Sequence, residues 1–116
     1  MYSKNYRLKK KYQFAYCYRA GRSAAGKYMV VYAASSKNKC VKLGVSVSKK
    51  VGGAVMRNRI KRRISEALRL AIVNLQRNYN IVVVARAAAS TATYQELTDE
   101  LYKLLGKLNV YLPDRR

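Results

Sequence analysis

Apolar residues recur at the spacing of an α-helix in three segments of the chain. The first is Tyr12–Ala20, and Gly21 suits its C-terminal end. On this helix, Phe14, Cys17 and Tyr18 fall on one face, because residues three and four positions apart are neighbours on a helix surface.

The second helical segment is the longest and runs from about Ala54 to Gln76. The third begins at Thr93, which forms a T-x-x-E capping box with Glu96. Both segments carry an apolar stripe, which predicts that one side of each helix packs against a core. The stripe residues are Met56, Ile60, Ile64, Ala67, Leu68, Ala71, Ile72 and Leu75 in the second segment, and Tyr94, Leu97, Leu101, Leu104, Leu105 and Leu108 in the third.

Strand patterns occupy the stretches between these helices. Tyr28–Ala34 and Cys40–Ser48 have the composition of strands, and residues 35–39 are predicted to join them in a hairpin-like turn. Ile81–Ala85 is a continuous apolar run, which is typical of a strand covered on both faces. A short edge strand is predicted over Arg22–Ala25.

The order α-β-β-β-α-β-α predicts an α+β fold, a two-layer α/β sandwich with a small mixed sheet and three helices. The 116 residues suit a single domain, 1–116, without repeats or low-complexity tracts. Residues 1–11 form a basic arm that is predicted to be irregular at its start. Neither a secretory signal nor a membrane helix of roughly 20 apolar residues is expected.

Charge changes this picture, because the chain carries 25 Lys and Arg against 5 Asp and Glu, a net charge of +20. Nineteen of the bases but only one acid, Glu66, lie at or before Arg69. Such an imbalance favours a polyanionic partner, since neutralised phosphates release their counterions. Nucleic acid is the leading candidate. An anionic membrane surface is weaker, because the amphipathic C-terminal helix holds most of the acids.

The residue inventory argues against a self-sufficient enzyme. The chain has no His and only five acids, so a general base or a catalytic carboxylate pair is hard to assemble. The Gly52–Gly53 pair lacks the spacing of a nucleotide-binding loop. Cys17 and Cys40 are too few for a zinc site or a disulfide framework. Both are expected to be reduced, although a single bridge between them stays open.

The densest cluster of charge is the segment 49–63, KKVGGAVMRNRIKRR. Arg57 falls near the apolar stripe in the first helical turn, where it can reach past the end of the sheet. A solvated basic face is the simple alternative, but such faces interleave acids, and first-turn cations oppose the helix dipole. We therefore interpret the segment as a nucleic-acid contact. Helical geometry points four polar side chains away from the stripe: Asn58, Arg62, Ser65 and Arg69.

One face of the predicted sheet is polar and aromatic. Together with Phe14 and Tyr18 of the first helix, this face is suited to stacking the bases of single-stranded nucleic acid. The pattern by itself favours a simpler interpretation, in which the aromatic rings only seal the first helix onto the sheet. The face combines Lys42, Gly44, Ser46 and Ser48 of one strand with Tyr28, Val30 and Tyr32 of the strand taken to be its neighbour.

Residues 46–69, SVSKKVGGAVMRNRIKRRISEALR, resemble the arginine–asparagine–arginine signature of the bacterial ribonuclease P protein family. Residues 5–14, NYRLKKKYQF, resemble the family's basic opening and first-helix aromatic. Residues 81–90, IVVVARAAAS, and the leucine-rich helix after them resemble its C-terminal half. The resemblance therefore covers nearly the whole chain.

The resemblance implies the protein subunit of a ribonucleoprotein that removes the 5′ leader from precursor tRNA. It implies ribonuclease P RNA and precursor tRNA as partners, with no membrane and no DNA, in the cytoplasm. Hydrolysis would be performed by the RNA with Mg²⁺ held mainly by that RNA, and the protein would carry no catalytic residue and no metal site. The implied fold is similar to the second domain of a ribosomal small-subunit protein, with a left-handed β-α-β crossover.

The resemblance also implies roles for individual residues. Contact with the catalytic RNA would involve Lys49, Lys50, Arg57, Asn58, Arg59, Lys61 and Arg62. A cleft for the leader would be lined by Phe14, Tyr18, Tyr32, Ser46 and Ser48, and the basic arm would contribute Arg7, Lys9, Lys10 and Lys11. Two rival functions stay open at this point: a general RNA-binding or ribosomal protein, and a protein nuclease that needs no RNA partner.

Overall fold

Three helices and four strands make up the part of the chain that the computed structural model describes, residues 4–37 and 39–112. The helices are α1 (Lys11–Ala20), α2 (Ala54–Ala71) and α3 (Tyr94–Lys107). The strands are β1 (Arg22–Ala25), β2 (Met29–Ser35), β3 (Lys42–Ser46) and β4 (Tyr79–Ala85). The predicted α+β class and order of elements are confirmed. Among the described helices, none is both long and apolar enough to cross a membrane.

The strands form one mixed sheet in the order β1-β2-β4-β3. β1 and β2 are antiparallel, as are β2 and β4. β3 and β4 are parallel neighbours, and the connection between them contains α2. The predicted hairpin between β2 and β3 is therefore wrong, because β4 lies between them. Asn38 of that connection lies outside the described residues. The central place of β4 explains its continuous apolar run, since both of its faces are covered.

Two apolar clusters lie on opposite faces of the sheet. The main core packs α2 and α3 against one face, and the stripe leucines of α3, such as Leu97 and Leu101, are buried in it. A smaller cluster on the other face joins Cys17 of α1 to Val82 of β4 and Leu8. The predicted two layers are therefore the sheet and the pair α2 and α3. Helix α1 forms a partial third layer on the opposite face of the sheet.

The helix ends follow local signals in two of three helices. At the end of α1, the Gly21 N–H donates to the Cys17 carbonyl at 3.0 Å. At the start of α3, the predicted capping box is present, since the Thr93 Oγ1 accepts from the Glu96 N–H at 3.1 Å. The second helix stops at Ala71 rather than Gln76, because the chain tightens into a 3₁₀ turn over Ile72–Asn74 and then becomes extended.

Ser65 lies on the buried side of α2, not on the exposed side that the apolar stripe predicted. The sequence predicted an outward side chain, but Ser65 is fully buried, and its Oγ has no hydrogen-bond partner among the described residues. The reason is that α3 packs beside α2, as the hydrogen bond from the Tyr102 hydroxyl to the Ala67 carbonyl at 3.1 Å shows. The buried arc of α2 is therefore wider than its apolar stripe.

Tyr28 does not share a face with Tyr32, contrary to the predicted alternation. It precedes β2 and turns towards α3, where its backbone N–H donates to Glu100 at 2.7 Å and its hydroxyl donates to Glu96 at 3.0 Å. Tyr28 thus packs with the main core, on the side of the sheet opposite α1.

The described part of the basic arm, residues 4–11, is held against β3. The start of the arm, which was predicted to be irregular, includes residues 1–3, and these lie outside the described residues. The Leu8 N–H donates to the Leu43 carbonyl at 2.9 Å, and the Leu8 side chain is buried. Gln13 of α1 accepts hydrogen bonds at 2.9 Å from the backbone N–H groups of Lys9 and Lys10. The arm therefore covers the outer edge of β3.

Candidate RNA interface

The turn between β3 and α2 presents positive charge at one end of the sheet. Lys49 and Lys50 are exposed, and the turn is anchored by buried Val51, whose N–H donates to the Ser48 carbonyl at 3.1 Å. Gly52 has a φ of 157°, a backbone conformation that residues with a side chain rarely adopt, so the turn favours glycine there. Ser48, predicted to lie on the strand, lies in this turn and is exposed.

The N-terminal half of α2 is a cationic surface. The first turn contains no acid, and no side chain caps it, so the positive end of the helix dipole adds to the charge of the side chains. Arg63 is occupied, since it donates to the Ala92 carbonyl at 3.1 Å. Exposed polar and basic side chains on this surface that make no hydrogen bond to another described residue are Asn58, Arg59, Lys61 and Arg62.

Further along the helix, Arg69 and Glu66 form an ion pair with a 2.5 Å contact. The Arg69 guanidinium lowers the pKa of the Glu66 carboxyl, so this acid stays ionised at neutral pH. Arg69 was expected to point outward, and its exposed side chain confirms this, but its charge is balanced within the helix. Among the described basic side chains of α2, Arg69 is therefore paired with an acid, whereas those of the first half have no such partner.

Arg57 occupies a groove of about 290 Å³ between β3 and α2. Its Nε is buried and has no hydrogen-bond partner among the described residues. A buried donor without an acceptor costs about 1–3 kcal/mol, so this nitrogen favours an acceptor supplied by a bound molecule. Arginine is well suited to phosphate oxygens in such a place. The groove is lined by Val45, Val47, Ala54, Arg57, Asn58 and Lys61.

An aromatic cleft lies on the opposite face of β3. The Phe14 ring sits directly above Gly44, where an added Cβ would lie 2.6 Å from the ring's Cε2 and Cζ atoms. Gly44 pairs with Val82 of β4, which in turn pairs with Tyr32 of β2, so these side chains follow one row across the sheet. We define the aromatic cleft as Phe14, Tyr18, Tyr32, Gly44 and Ser46.

Tyr18 spans the mouth of this cleft. Its ring meets that of Tyr32 edge to face, with 5.0 Å between centroids, and its hydroxyl neighbours Ser46. Burial raises the pKa of the Tyr18 phenol, and the Ser46 hydroxyl offsets part of that rise. The contact with Tyr32 holds the Tyr18 ring in place. Because the residue is still 44% exposed, the ring is also accessible from solvent. Packing and base stacking are both compatible with this geometry.

The structure gathers four of the five predicted cleft residues and places the basic arm beside them. Arg7 bridges to Leu43 of β3, and Lys11 is the first residue of α1. Sequence reasoning did not identify Leu8 as a wall of the cleft, although it lies 3.3 Å from the position of a Cβ on Gly44. An apolar residue within a run of lysines was the available signal.

We expect Gly44→Ala to destabilise the protein by about 1–3 kcal/mol, because the new methyl group forces the Phe14 ring out of place. Gly106→Ala on α3 is the matched control, since a Cβ there meets nothing within 4 Å and alanine favours helix. Urea unfolding of both variants measures the difference. If Gly44→Ala is as stable as Gly106→Ala, the close approach of Phe14 to the sheet is wrong.

Both cysteines are free, and they differ in burial, since Cys17 is buried and Cys40 is partly exposed. Burial raises the pKa of Cys17 to about 11, so a thiol reagent at pH 8 is expected to modify Cys40 alone until the protein unfolds.

The neutral Cys17 thiol stabilises the fold fully below its unfolded pKa of about 9, and this contribution is lost as pH rises through 11. Melting temperatures at pH 8 and pH 10, measured beside Cys17→Ala, isolate the effect. An equal fall in both proteins contradicts it.

The sequence matches the family model for Ribonuclease P over residues 2–109. It is 38% identical over 110 residues to the ribonuclease P protein component of Clostridium novyi (strain NT), covering 93% of this chain and 97% of that protein. It is also 38% identical over 104 residues to the ribonuclease P protein component of Clostridioides difficile (strain 630), covering 89% and 91%.

Solved structures agree with the sequence matches. The fold is similar to that of the Staphylococcus aureus RNase P protein, with a TM-score of 0.85 and 36% identity over 91% of this chain and 97% of that one. It is also similar to the RNase P protein from Thermotoga maritima in complex with 1-(4-fluorophenyl)-2-thiourea, with a TM-score of 0.77, 26% identity and coverage of 88% and 96%. The chain therefore belongs to the bacterial ribonuclease P protein family, the protein components of a tRNA-processing ribonucleoprotein.

Proposed function

We propose that the chain binds ribonuclease P RNA and the 5′ leader of precursor tRNA on the two faces of β3. The observation that carries this proposal is the alternation of the strand. Val45 faces the groove that holds Arg57, whereas Gly44 and Ser46 face the aromatic cleft. One strand thus separates a phosphate-binding surface from a base-stacking surface, so two RNA segments bound there would lie side by side.

Catalytic RNA is the partner assigned to the cationic surface. Its exposed guanidinium and ammonium groups would contact phosphates and reduce the Mg²⁺ needed to offset repulsion between the two RNAs. The flanking arm adds charge along the outer edge of β3. The residues assigned are Lys49, Lys50, Arg57, Asn58, Arg59, Lys61 and Arg62, with Arg7, Lys9, Lys10 and Lys11 of the arm.

The single-stranded leader is assigned to the aromatic cleft. Phe14, Tyr18 and Tyr32 offer ring faces and edges to unpaired bases, and stacking of this kind tolerates many sequences. Ser46 lies beside the Tyr18 hydroxyl, and Ser48 lies in the turn next to Lys49, where it is available to a phosphate that leaves the cleft.

Hydrolysis is assigned to the RNA, with Mg²⁺ held mainly by the RNA. Three acids of the described residues are engaged in the fold: Glu66 pairs with Arg69, Glu96 caps α3, and Glu100 accepts from the turn between β1 and β2. Among the described residues, no three His, Cys, Asp or Glu side chains cluster to hold a metal ion. The protein's contribution is therefore binding and electrostatics, in the cytoplasm where tRNA is processed.

Cleavage of precursor tRNA by a bacterial ribonuclease P RNA at low Mg²⁺, with and without the protein, tests the proposal. We expect cleavage at the leader junction only when RNA and protein are both present. Protein alone, mature tRNA and an unrelated hairpin are the controls. Tight RNA binding without stimulation favours a general RNA-binding protein, and cleavage by the protein alone contradicts the assignment of catalysis to the RNA.

A further inference from the structure

A second aromatic surface lies on the side of α1 that faces away from the aromatic cleft. Tyr12, Ala15, Tyr16 and Arg19 follow the i, i+3, i+4, i+7 spacing and therefore form one stripe along the helix. With Gln13 and Asn80 they line a depression of about 370 Å³. We call these six residues the outer α1 groove.

The shape of this groove suits a flat apolar ring. Tyr12 is 71% exposed, so its ring face is open to solvent. Tyr16 is held in place, because its hydroxyl donates to the Ser35 carbonyl at 3.0 Å. Ala15 also lines the depression, and its small side chain leaves room beside the two tyrosine rings. Together they form an apolar slot with one fixed wall and one exposed wall.

Polar groups at the rim add hydrogen-bonding capacity. The Oε1 atom of Gln13 accepts from two backbone N–H groups, which fixes the amide, and its Nε2 donates to no acceptor within the described chain. The exposed Arg19 guanidinium lies one turn beyond Tyr16 and likewise makes no hydrogen bond to another described residue. An immobilised amide and a free guanidinium beside an aromatic slot match the edge of a nucleobase and its phosphate.

Charge complementarity decides the class of ligand. The acids in the described part of the chain, Glu66 on α2 and Glu96, Asp99 and Glu100 on α3, lie on helices that cover the other face of the sheet. The surface of α1 carries Lys11 and Arg19 without any acid, in a chain with a net charge of +20. An anionic ligand is therefore favoured over a neutral or cationic one.

We propose that the outer α1 groove binds an unpaired nucleotide of RNA, with the base stacked on Tyr12 and the phosphate contacted by Arg19. The inference rests on the proposed function only in taking RNA as the partner. The groove and the aromatic cleft are different sites, because the body of α1 separates them. The nucleotide belongs either to ribonuclease P RNA or to precursor tRNA, and both sources present the same chemistry.

A tryptophan at position 12 reports stacking directly, because the chain contains no Trp. The fluorescence of Tyr12→Trp is expected to be quenched when RNA is added. Quenching by ribonuclease P RNA alone assigns the nucleotide to that RNA. Quenching of the assembled holoenzyme by precursor tRNA, and not by mature tRNA, assigns it to the leader. Val73→Trp, at a site equally exposed at 74%, is the control and should not respond.

Affinity measurements separate this site from the proposed cleft. Tyr12→Ala is expected to weaken binding of the responsive RNA by about 5- to 150-fold, and Tyr12→Phe should restore it, because the ring is what stacks. Arg19→Ala should lower the salt slope by about one, unlike Lys107→Ala on α3. If neither tryptophan responds, or both respond equally, while cleavage is intact, the groove is not a nucleotide site. If instead the unmodified protein does not stimulate cleavage, the proposed function is wrong.

Discussion

Alanine at both Arg57 and Arg62 is expected to weaken binding of ribonuclease P RNA by about 1.5–3 kcal/mol per side chain. It should also lower the slope of log Kd against log salt by about two, one for each phosphate contact that is lost. The side chain of neither arginine has a hydrogen-bond partner among the described residues, and the Nε of Arg57 is buried beside β3 without an acceptor. Removing them therefore breaks no internal contact of this kind. Titration of the RNA at several KCl concentrations measures both quantities.

A second pair of substitutions separates a specific surface from simple net charge. Lys103→Ala with Lys107→Ala removes the same charge from α3, on exposed positions outside the cationic surface. We expect the α3 pair to leave the salt slope almost unchanged. Equal slopes for the two double variants would mean that only the total charge of the protein matters, and the assignment of α2 to phosphate contact would fail.

Leucine in place of Phe14 is expected to weaken binding of precursor tRNA to the holoenzyme by about 1–3 kcal/mol, with little change for mature tRNA. Leucine keeps much of the apolar volume above Gly44, so the fold should lose less than about 1.5 kcal/mol. It removes the flat ring on which a leader base can stack. Kd values for precursor and mature tRNA, measured with the same holoenzyme preparation, give the comparison.

Tyr18→Phe is the matched control for this experiment. It keeps the ring that meets Tyr32 edge to face and removes the hydroxyl that neighbours Ser46. We expect it to bind precursor tRNA nearly as well as the original protein. An equal loss of affinity for precursor and mature tRNA in Phe14→Leu would show that Phe14 only packs α1 against the sheet.

The position of β3 at the edge of the sheet connects these two experiments. Its outer edge is covered by the arm at Leu8, while its two faces carry the groove and the aromatic cleft. A change on one face should therefore leave the other site intact, because alternate side chains of a strand point in opposite directions. The double variant Phe14→Leu with Arg57→Ala should therefore lose the same affinity for precursor tRNA as Phe14→Leu and the same affinity for ribonuclease P RNA as Arg57→Ala.

Local patterns in the sequence predicted much of this protein. The apolar period located all three helices, and the Thr93–Glu96 capping box placed the start of α3. The excess of Lys and Arg before Arg69 indicated a nucleic-acid partner. These inferences succeed because helix periodicity, capping and charge depend on residues close together in the chain.

Only the tertiary structure decided which elements meet. β4 comes from beyond α2 and pairs with both β2 and β3, so the two strands that looked like a hairpin are not neighbours. α3 widened the buried arc of α2 to include Ser65 and drew Tyr28 away from Tyr32. Strand pairing and helix packing join residues far apart in sequence, and apolar alternation shows that a face is buried without showing what covers it. For the same reason, the pattern of β3 revealed two faces and put Phe14 beside the polar one, and only the fold placed Arg57 on the other.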